Sequence, residues 1–360
     1  MTPGRVWLLL GDKPGDNAQV EAVVEALGWR FERKTLHWRA PYTTEKPRFR
    51  VTLDHLDRTR SAPLEPPWPD LILTIGRRPS MVALWLKERS AGRTRIVLFG
   101  KPSGLMSRFD LVIAGAEVQL PPLPNVLPIR LPLMRPRASD IEAAMALWQP
   151  RLAARPRPLI ALLVGGPTVP FAFDTRVSEQ LQRLAAGVYA AGGTPYVTTS
   201  RRTPRAVVEA LRSELPPGAQ LFEWAPGSVD NPYLALLGLA DGFIVTGDSV
   251  SMMAEVVRAR KPLGVLELPL RRLGGIDQAR RTLLRRLFRV DGGQIRQLAV
   301  AAACRARLLD ATRDFRAFHQ TLFDRGLAVR AGEPLVPPEG AVPDDLPAVV
   351  ARIESLIEAA

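Results

Sequence analysis

Residues 242–260 read GFIVTGDSVSMMAEVVRAR: a short apolar run, a glycine and hydroxyl-rich turn, then a segment with helical spacing of Met, Ala and Val. A β-branched run that stops at a glycine and restarts as a helix is one βα unit of a parallel sheet. The same phrase recurs on both sides of it. Upstream lie the runs Leu159–Val164, Thr194–Thr198 and Gln220–Phe222, and downstream lies Leu263–Leu266. Helical stretches at Thr175–Ala191, Pro204–Leu215, Asn231–Leu239 and Ser249–Arg260 fill the gaps. Strict alternation of this kind predicts a doubly wound Rossmann-like sheet.

The first half repeats the pattern more loosely. Its runs are Val6–Leu10, Leu71–Ile75, Ile96–Phe99 and Leu111–Ala114, with helices at Asn17–Leu27 and Pro79–Arg89. Lys34 to Pro69, rich in Pro, Thr and Arg, reads as an irregular insertion. The proline-rich stretch Leu120–Pro136, the Ala-rich helix Ala138–Leu152 and then Arg155-Pro156-Arg157-Pro158 mark a boundary near residue 155. The expected organisation is α/β throughout, with two Rossmann-like doubly wound domains facing across a cleft. Residues 1–154 form the first, 155–335 the second, and 336–360 a tail and helix that packs back on the first. Helices are also expected at Ile276–Leu287, Gln294–Ala311 and Arg313–Arg325.

Composition narrows the class. The 360 residues carry 49 Lys+Arg against 36 Asp+Glu, a net charge of +13. Nucleic acid, an anionic membrane or phosphorylated substrate, and codon bias toward arginine all produce such an excess. Few aromatics interleave with Arg271-Arg272, Arg280-Arg281 and Arg285-Arg286, and no helix-turn-helix, RNP or zinc pattern accompanies them, which disfavours nucleic acid. Met1 to Leu10 is too short for a secretory apolar core, no run approaches a membrane span, and the single Cys304 fits a reducing compartment. A cytoplasmic protein, held peripherally at the inner face of a membrane, is the expectation.

Ligands of open α/β sheets bind beyond the strands' carboxyl ends, so the turns there carry the chemistry. Gly165-Gly166 would bring backbone amides to a ligand, or simply make a turn. Ser200, Arg201 and Arg202 before a helix compose a phosphate clamp. Thr246, Asp248, Ser249, Ser251 and Glu255 line the turn and first helical turns of residues 242–260. Ser249 is a helix cap on the bland reading; with Ser251 and Glu255 it also presents two hydroxyls and a carboxylate suited to a ribose. In the first half, Gly11–Gln19 is either an ordinary βα loop with Asp16 or Asn17 as helix cap, or it presents Asp12 or Asp16 as a general base raised by partial burial, and Arg77 and Arg78 offer cations to an anionic acceptor. The histidines His37, His55 and His319 lack metal-ligand spacing, so neither a metal nor another cofactor is expected.

These turns in this order resemble the family of the plant elongated-mitochondria fission protein and its bacterial relatives, which are similar to GT-B glycosyltransferases. The resemblance runs through Gly11–Gln19, Pro69–Ser80, Leu162–Pro167, Ser200–Pro204, Asp230–Leu236, Val245–Glu255 with Lys261-Pro262, and Phe315–Leu327. It implies a nucleotide-sugar donor in the second domain and an acceptor, lipid-linked or of the cell envelope, on the first. By position, Glu255 would hold the ribose, Ser249 and Ser251 with Gly165-Gly166 the diphosphate, and Glu223-Trp224 would meet the base. The chain departs from the relatives between Lys101 and Pro136, on the acceptor side. The resemblance also admits a non-catalytic scaffold, because a fold does not fix an activity.

Overall fold

The computed structural model describes residues 4–40, 42, 50–102, 105–228, 230–272, 274–288, 300, 302–303 and 312–358. The expected helix Gln294–Ala311, and Cys304 in it, lie largely or wholly outside them. Two compact units emerge: Met1–Met134 with Arg281–Arg313 and Pro343–Ala360, and Arg135–Arg280 with Asp314–Val342.

The first unit is a parallel sheet ordered β2-β1-β3-β4-β5-β7. Its strands are β1 Val6–Leu10, β2 Glu32–Thr35, β3 Leu71–Ile75, β4 Arg95–Phe99, β5 Leu111–Gly115 and β7 Val126–Ile129. Strand side chains alternate between faces. Val6, Leu8 and Leu10 therefore join one buried cluster while Trp7 and Leu9 join the other. Because both faces are covered, β1 is apolar at every position. Helix α1 (Pro14–Leu27) lies on the first cluster and α2 (Arg77–Arg89) on the second. A short pair, β6 (Val118–Gln119) with β13 (Thr312–Arg313), stands apart.

The sequence hides two of these strands. Glu32–Thr35 carries no apolar run, yet it pairs in parallel with β1 along its whole length. As an edge strand it buries only Lys34, whose ammonium sits 4.4 Å from the Trp7 ring centre and 2.5 Å from Glu32. The irregular insertion expected from Lys34 therefore takes in the last two residues of this strand, Lys34 and Thr35. β7 holds Pro128, and at the sheet's edge its missing amide costs no ladder bond on the open side.

The second unit is a parallel sheet ordered β10-β9-β8-β11-β12-β14. Here β8 is Leu159–Leu163, β9 Thr194–Thr198, β10 Gln220–Phe222, β11 Gly242–Thr246, β12 Leu263–Leu266 and β14 Val329–Arg330. The helices, numbered in chain order, are α3 Ala138–Leu152, α4 Thr175–Ala190, α5 Arg205–Glu214, α6 Tyr233–Leu239, α7 Val250–Arg258, α8 Gly274–Leu287, α9 Phe315–Asp324 and α10 Leu346–Glu358.

The division falls between Met134 and Arg135 rather than near residue 155, because α3 packs on α6. Gly238 makes that possible: a Cβ there would stand 2.2 Å from the Met145 sulfur. At the other end, α10 packs against α1 and buries Val349 and Ile353 in the first unit's core. Full burial of each is worth about 1.5–3 kcal/mol. Among the described residues, no helix is long and apolar enough to cross a membrane.

Candidate functional site

In each unit the strand order reverses once, between β1 and β3 in the first and between β8 and β11 in the second. These are the switch points at which open α/β sheets leave a crevice.

At the second switch point a network joins the two strand ends. Gly165 N donates to Thr246 Oγ1 at 2.8 Å and Gly166 N to Asp248 Oδ2 at 2.9 Å. Thr246 Oγ1 donates to Asp248 Oδ1 at 2.8 Å. Arg202 Nη2 donates to Asp248 Oδ2 at 2.8 Å, and Arg202 Nη1 to Thr168 Oγ1 at 2.8 Å. Ser200 Oγ and Thr203 Oγ1 both donate to the Gly165 carbonyl, at 3.0 and 2.7 Å. The Asp248 side chain is wholly buried, and burial pushes its pKa up despite the neighbouring Arg202.

Several expected ligand contacts are thereby spent inside the protein. The Gly165 and Gly166 amides, expected on a diphosphate, serve Thr246 and Asp248 instead. Their lack of side chains has an internal cause as well. A Cβ on Gly165 would lie 2.4 Å from Asp248 Oδ1, and one on Gly166 2.2 Å from the Arg202 carbonyl oxygen. Ser200, Thr246 and Asp248 are structural members of the same network.

Other groups stay available. Arg201 is exposed, and Arg202, although anchored on Asp248, keeps its guanidinium partly in solvent. Ser249 precedes α7 and is buried, at 4% exposure, but its hydroxyl caps nothing; neither it nor the half-buried Ser251 hydroxyl has a hydrogen-bond partner among the described residues. The amides of Val250, Ser251 and Met252 open the helix, where no intrahelical acceptor exists for them. Farther along, Glu255 accepts a very short hydrogen bond from the Tyr233 hydroxyl at the start of α6. Burial raises Glu255 while the Tyr233 bond pulls the other way. Burial, reinforced by Glu255, drives the Tyr233 phenol well above its ordinary range. Beyond β10, Trp224 is half-buried, its amide donating to Thr199 Oγ1 at 2.9 Å. Glu223 pairs with Arg212 at 2.5 Å and does not join this group.

His319, on α9, has a place here that its isolation in the sequence concealed. Fully buried, its Nε2 donates to the Gly247 carbonyl at 2.7 Å, while Nδ1 is buried without a hydrogen bond among the described residues. Burial holds its pKa below the ordinary histidine value. Gly247 must be glycine, since a Cβ would stand 2.7 Å from His319 Cε1. The pair fixes the turn leading into Asp248 and Ser249.

At the first switch point, Asp12 Oδ1 accepts from Trp38 Nε1 at 3.0 Å and from Arg78 Nη1 at 3.2 Å. His55 stacks on Trp38 at 5.5 Å, and its Nε2 lies 3.2 Å from the Arg78 carbonyl oxygen. Burial alone would raise Asp12, but the Trp38 bond and the Arg78 charge outweigh it and the net shift is downward. A general base with a raised pKa is therefore not what Asp12 is; it anchors Arg78. Asp16 pairs with Lys13 at 3.5 Å, and Arg77, next to Arg78 in sequence, is exposed. Trp38 and His55 come from the segment that reads as irregular, so nothing in the sequence joined them to Asp12.

The family model for mitochondrial fission ELM1 matches residues 14–312. The chain belongs to that family. The mitochondrial fission protein ELM1 of Arabidopsis thaliana is 26% identical over 220 residues, covering 55% of this chain and 51% of the plant protein. The match thus spans about half the plant relative's length. An uncharacterized protein of Rickettsia prowazekii (strain Madrid E) is 22% identical over 302 residues, covering 73% of this chain and 83% of that one. Among solved structures, the chain is similar to Staphylococcus aureus MnaA with UDP, at TM-score 0.49 and 13% identity, covering 99% and 97% of the two chains. Escherichia coli ADP-heptose LPS heptosyltransferase II gives a TM-score of 0.43 at 12% identity, covering 73% and 84%. The ELM1 family match takes in both switch-point turns except for the residues before Pro14.

Proposed function

We propose that this ELM1-family chain is a glycosyltransferase that binds a nucleotide-sugar donor in its second unit, needs no metal, and passes the sugar to a lipid-linked or other cell-envelope acceptor at an anionic membrane. One observation carries the reading. At the β8/β11 switch point the first turn of α7 presents unbonded amides and two unbonded hydroxyls, Ser249 and Ser251, with the Arg201-Arg202 pair on the neighbouring β9 turn. A diphosphate satisfies helix-end amides, hydroxyl donors and guanidinium groups together. Glu255, on the same helix, is suited to a ribose hydroxyl, with Tyr233 steadying the carboxylate. In this reading Asp248 and the glycines build the pocket floor and Arg202 is the group they hold in place. In the first unit, Arg77 and the Asp12-anchored Arg78 would meet an anionic acceptor.

A thermal-shift panel of UDP, GDP, CDP, ADP, CMP and their sugar conjugates, with and without magnesium, tests this. A ligand at roughly 100 times its dissociation constant adds about 2.7 kcal/mol of stability. A shift with one nucleotide that does not depend on magnesium supports the reading; a folded protein that responds to none of them refutes it.

A specific observation favours a second reading, a GT-B-shaped scaffold without catalysis. The glycine amides and Asp248 are consumed internally, and Asp12 is held as a weak base. That reading predicts no nucleotide response and full tolerance of Glu255→Ala in a cellular assay.

A further inference from the structure

We infer that a rim of two paired loops at the carboxyl edge of the second unit's sheet docks on an anionic lipid bilayer. It rests on the reading above only in expecting a membrane nearby, and it needs no nucleotide to be bound.

The loops follow β8 and β12 and are zipped together by backbone bonds. Ala172 N donates to the Pro269 carbonyl at 2.7 Å, Arg271 N to the Pro170 carbonyl at 3.1 Å, and Phe171 bridges Leu270 in antiparallel fashion. Arg271 Nε adds a bond to the Phe171 carbonyl at 3.0 Å. Their inner side is fastened to the core: Phe171 and Leu268 are buried, and the Phe171 ring sits 5.6 Å from that of Phe315. The rim is therefore stiff, and docking it costs little ordering entropy.

Its outer side is unusual for a solvated loop. Val169 is 51% exposed at the tip of one loop and Ile276 is 73% exposed where the other enters α8. Gly274 keeps the two close, since a Cβ there would already lie 3.1 Å from the Pro170 carbonyl oxygen. Around these aliphatic tips stand exposed Arg271, Arg272 and Arg280, with Arg176 at the base of the β8 loop. The acidic residues here are paired: Asp174 with Arg176 at 2.7 Å, Asp277 lying 3.8 Å from Arg280, and Glu267, at the start of the β12 loop, with Arg330 at 3.6 Å. Thr168, beside Val169, bonds Arg202, so the rim borders the Ser249–Arg202 site directly.

Charge decides between occupants. An arginine-flanked aliphatic edge matches the headgroup and acyl layers of an anionic bilayer, guanidinium outside and Val and Ile in the boundary. Protein interfaces also use arginine but centre their energy on aromatic anchors, whereas the large apolar side chains exposed on this rim are the aliphatic Val169 and Ile276.

The test is co-sedimentation of the full chain with vesicles of phosphatidylcholine alone and of equal parts phosphatidylcholine and phosphatidylglycerol. Binding to the anionic vesicles only, weakened by salt, is expected. Arg272→Glu and Arg280→Glu should each lower it about fivefold or more. Val169→Asp with Ile276→Asp should lower it more than about tenfold, while Leu147→Asp, equally exposed on α3, leaves it unchanged. All of these positions are at the surface, and an unaltered thermal transition shows each variant folded. The inference is overturned if the wild type ignores anionic vesicles, if the rim variants bind them as the wild type does, or if the rim variants instead abolish a self-association detected in solution.

Discussion

Replacing Gly165 with alanine should destabilise the second unit severely, and the cost should vanish when Asp248 is removed. The three heavy atoms nearest an added Cβ all belong to the Asp248 carboxylate, at 2.4, 2.4 and 2.7 Å. Real Cβ atoms do not approach so closely, so the carboxylate must move. Moving it breaks its bonds to Gly166 N, Thr246 Oγ1 and Arg202 Nη2. Solvent screens the pair on the Arg202 side, which is 44% exposed. Stranding the donors of the wholly buried Asp248 carboxylate still costs about 1–3 kcal/mol apiece and so about 3–5 kcal/mol in all, and Asp248→Ala, which strands the same donors, should cost a similar amount. For a unit of this size that is a melting-temperature loss of roughly 10 °C. Gly165 does not occupy the left-handed region, so alanine brings no backbone strain of its own. Gly165→Ala in the Asp248→Ala background should then add less than about 1 kcal/mol, a coupling of about 2–4 kcal/mol. Calorimetry or urea unfolding of the four proteins measures it. Additive costs, or a lone Gly165→Ala that is nearly neutral, would refute the assignment of Gly165 to an internal network and return its amide to the ligand.

Glu255→Ala should weaken nucleotide-sugar binding at least tenfold by titration calorimetry. Tyr233→Phe should weaken it less, and because the lost hydrogen bond was lowering Glu255, the pH below which binding fails should move upward. His319 has its pKa lowered by burial, so the unfolded chain takes up its proton first. Stability should therefore fall as pH drops through about 6.5, and His319→Gln should flatten that part of the profile in thermal scans. Asp12 has a lowered pKa, so its contribution is present above the ordinary carboxylate range and is lost as pH falls through the lower folded value. With the carboxylate 43% exposed, solvent limits that contribution to under about 1 kcal/mol. Asp12→Asn should accordingly leave neutral-pH stability nearly unchanged.

What the sequence determined by itself is the arrangement of βα units. Runs such as Val6–Leu10, Thr194–Thr198 and Gly242–Thr246 match the strands end for end, because a strand covered on both faces is built mainly of apolar and β-branched side chains. The turns after those strands were legible as the candidate ligand-binding end for the same reason, since the polar and glycine residues stand where the run stops. Edge strands escaped: Glu32–Thr35 buries only Lys34 and Val126–Ile129 only Ile129, so neither announces itself as an apolar run. The division between units also needed the fold, because the packing of α3 on α6 at Gly238 is a contact across nearly a hundred residues of chain. Only the tertiary structure could sort the glycines, hydroxyls and charges of the turns into those that hold one another and those that remain free. Gly165 looks identical in sequence whether it faces a phosphate or Asp248, and His319 gives no sign that it will close over Gly247. A hydrogen bond consumes a donor only when its partner arrives, and the partners here come from separate strands and a late helix that the folded sheet alone brings together.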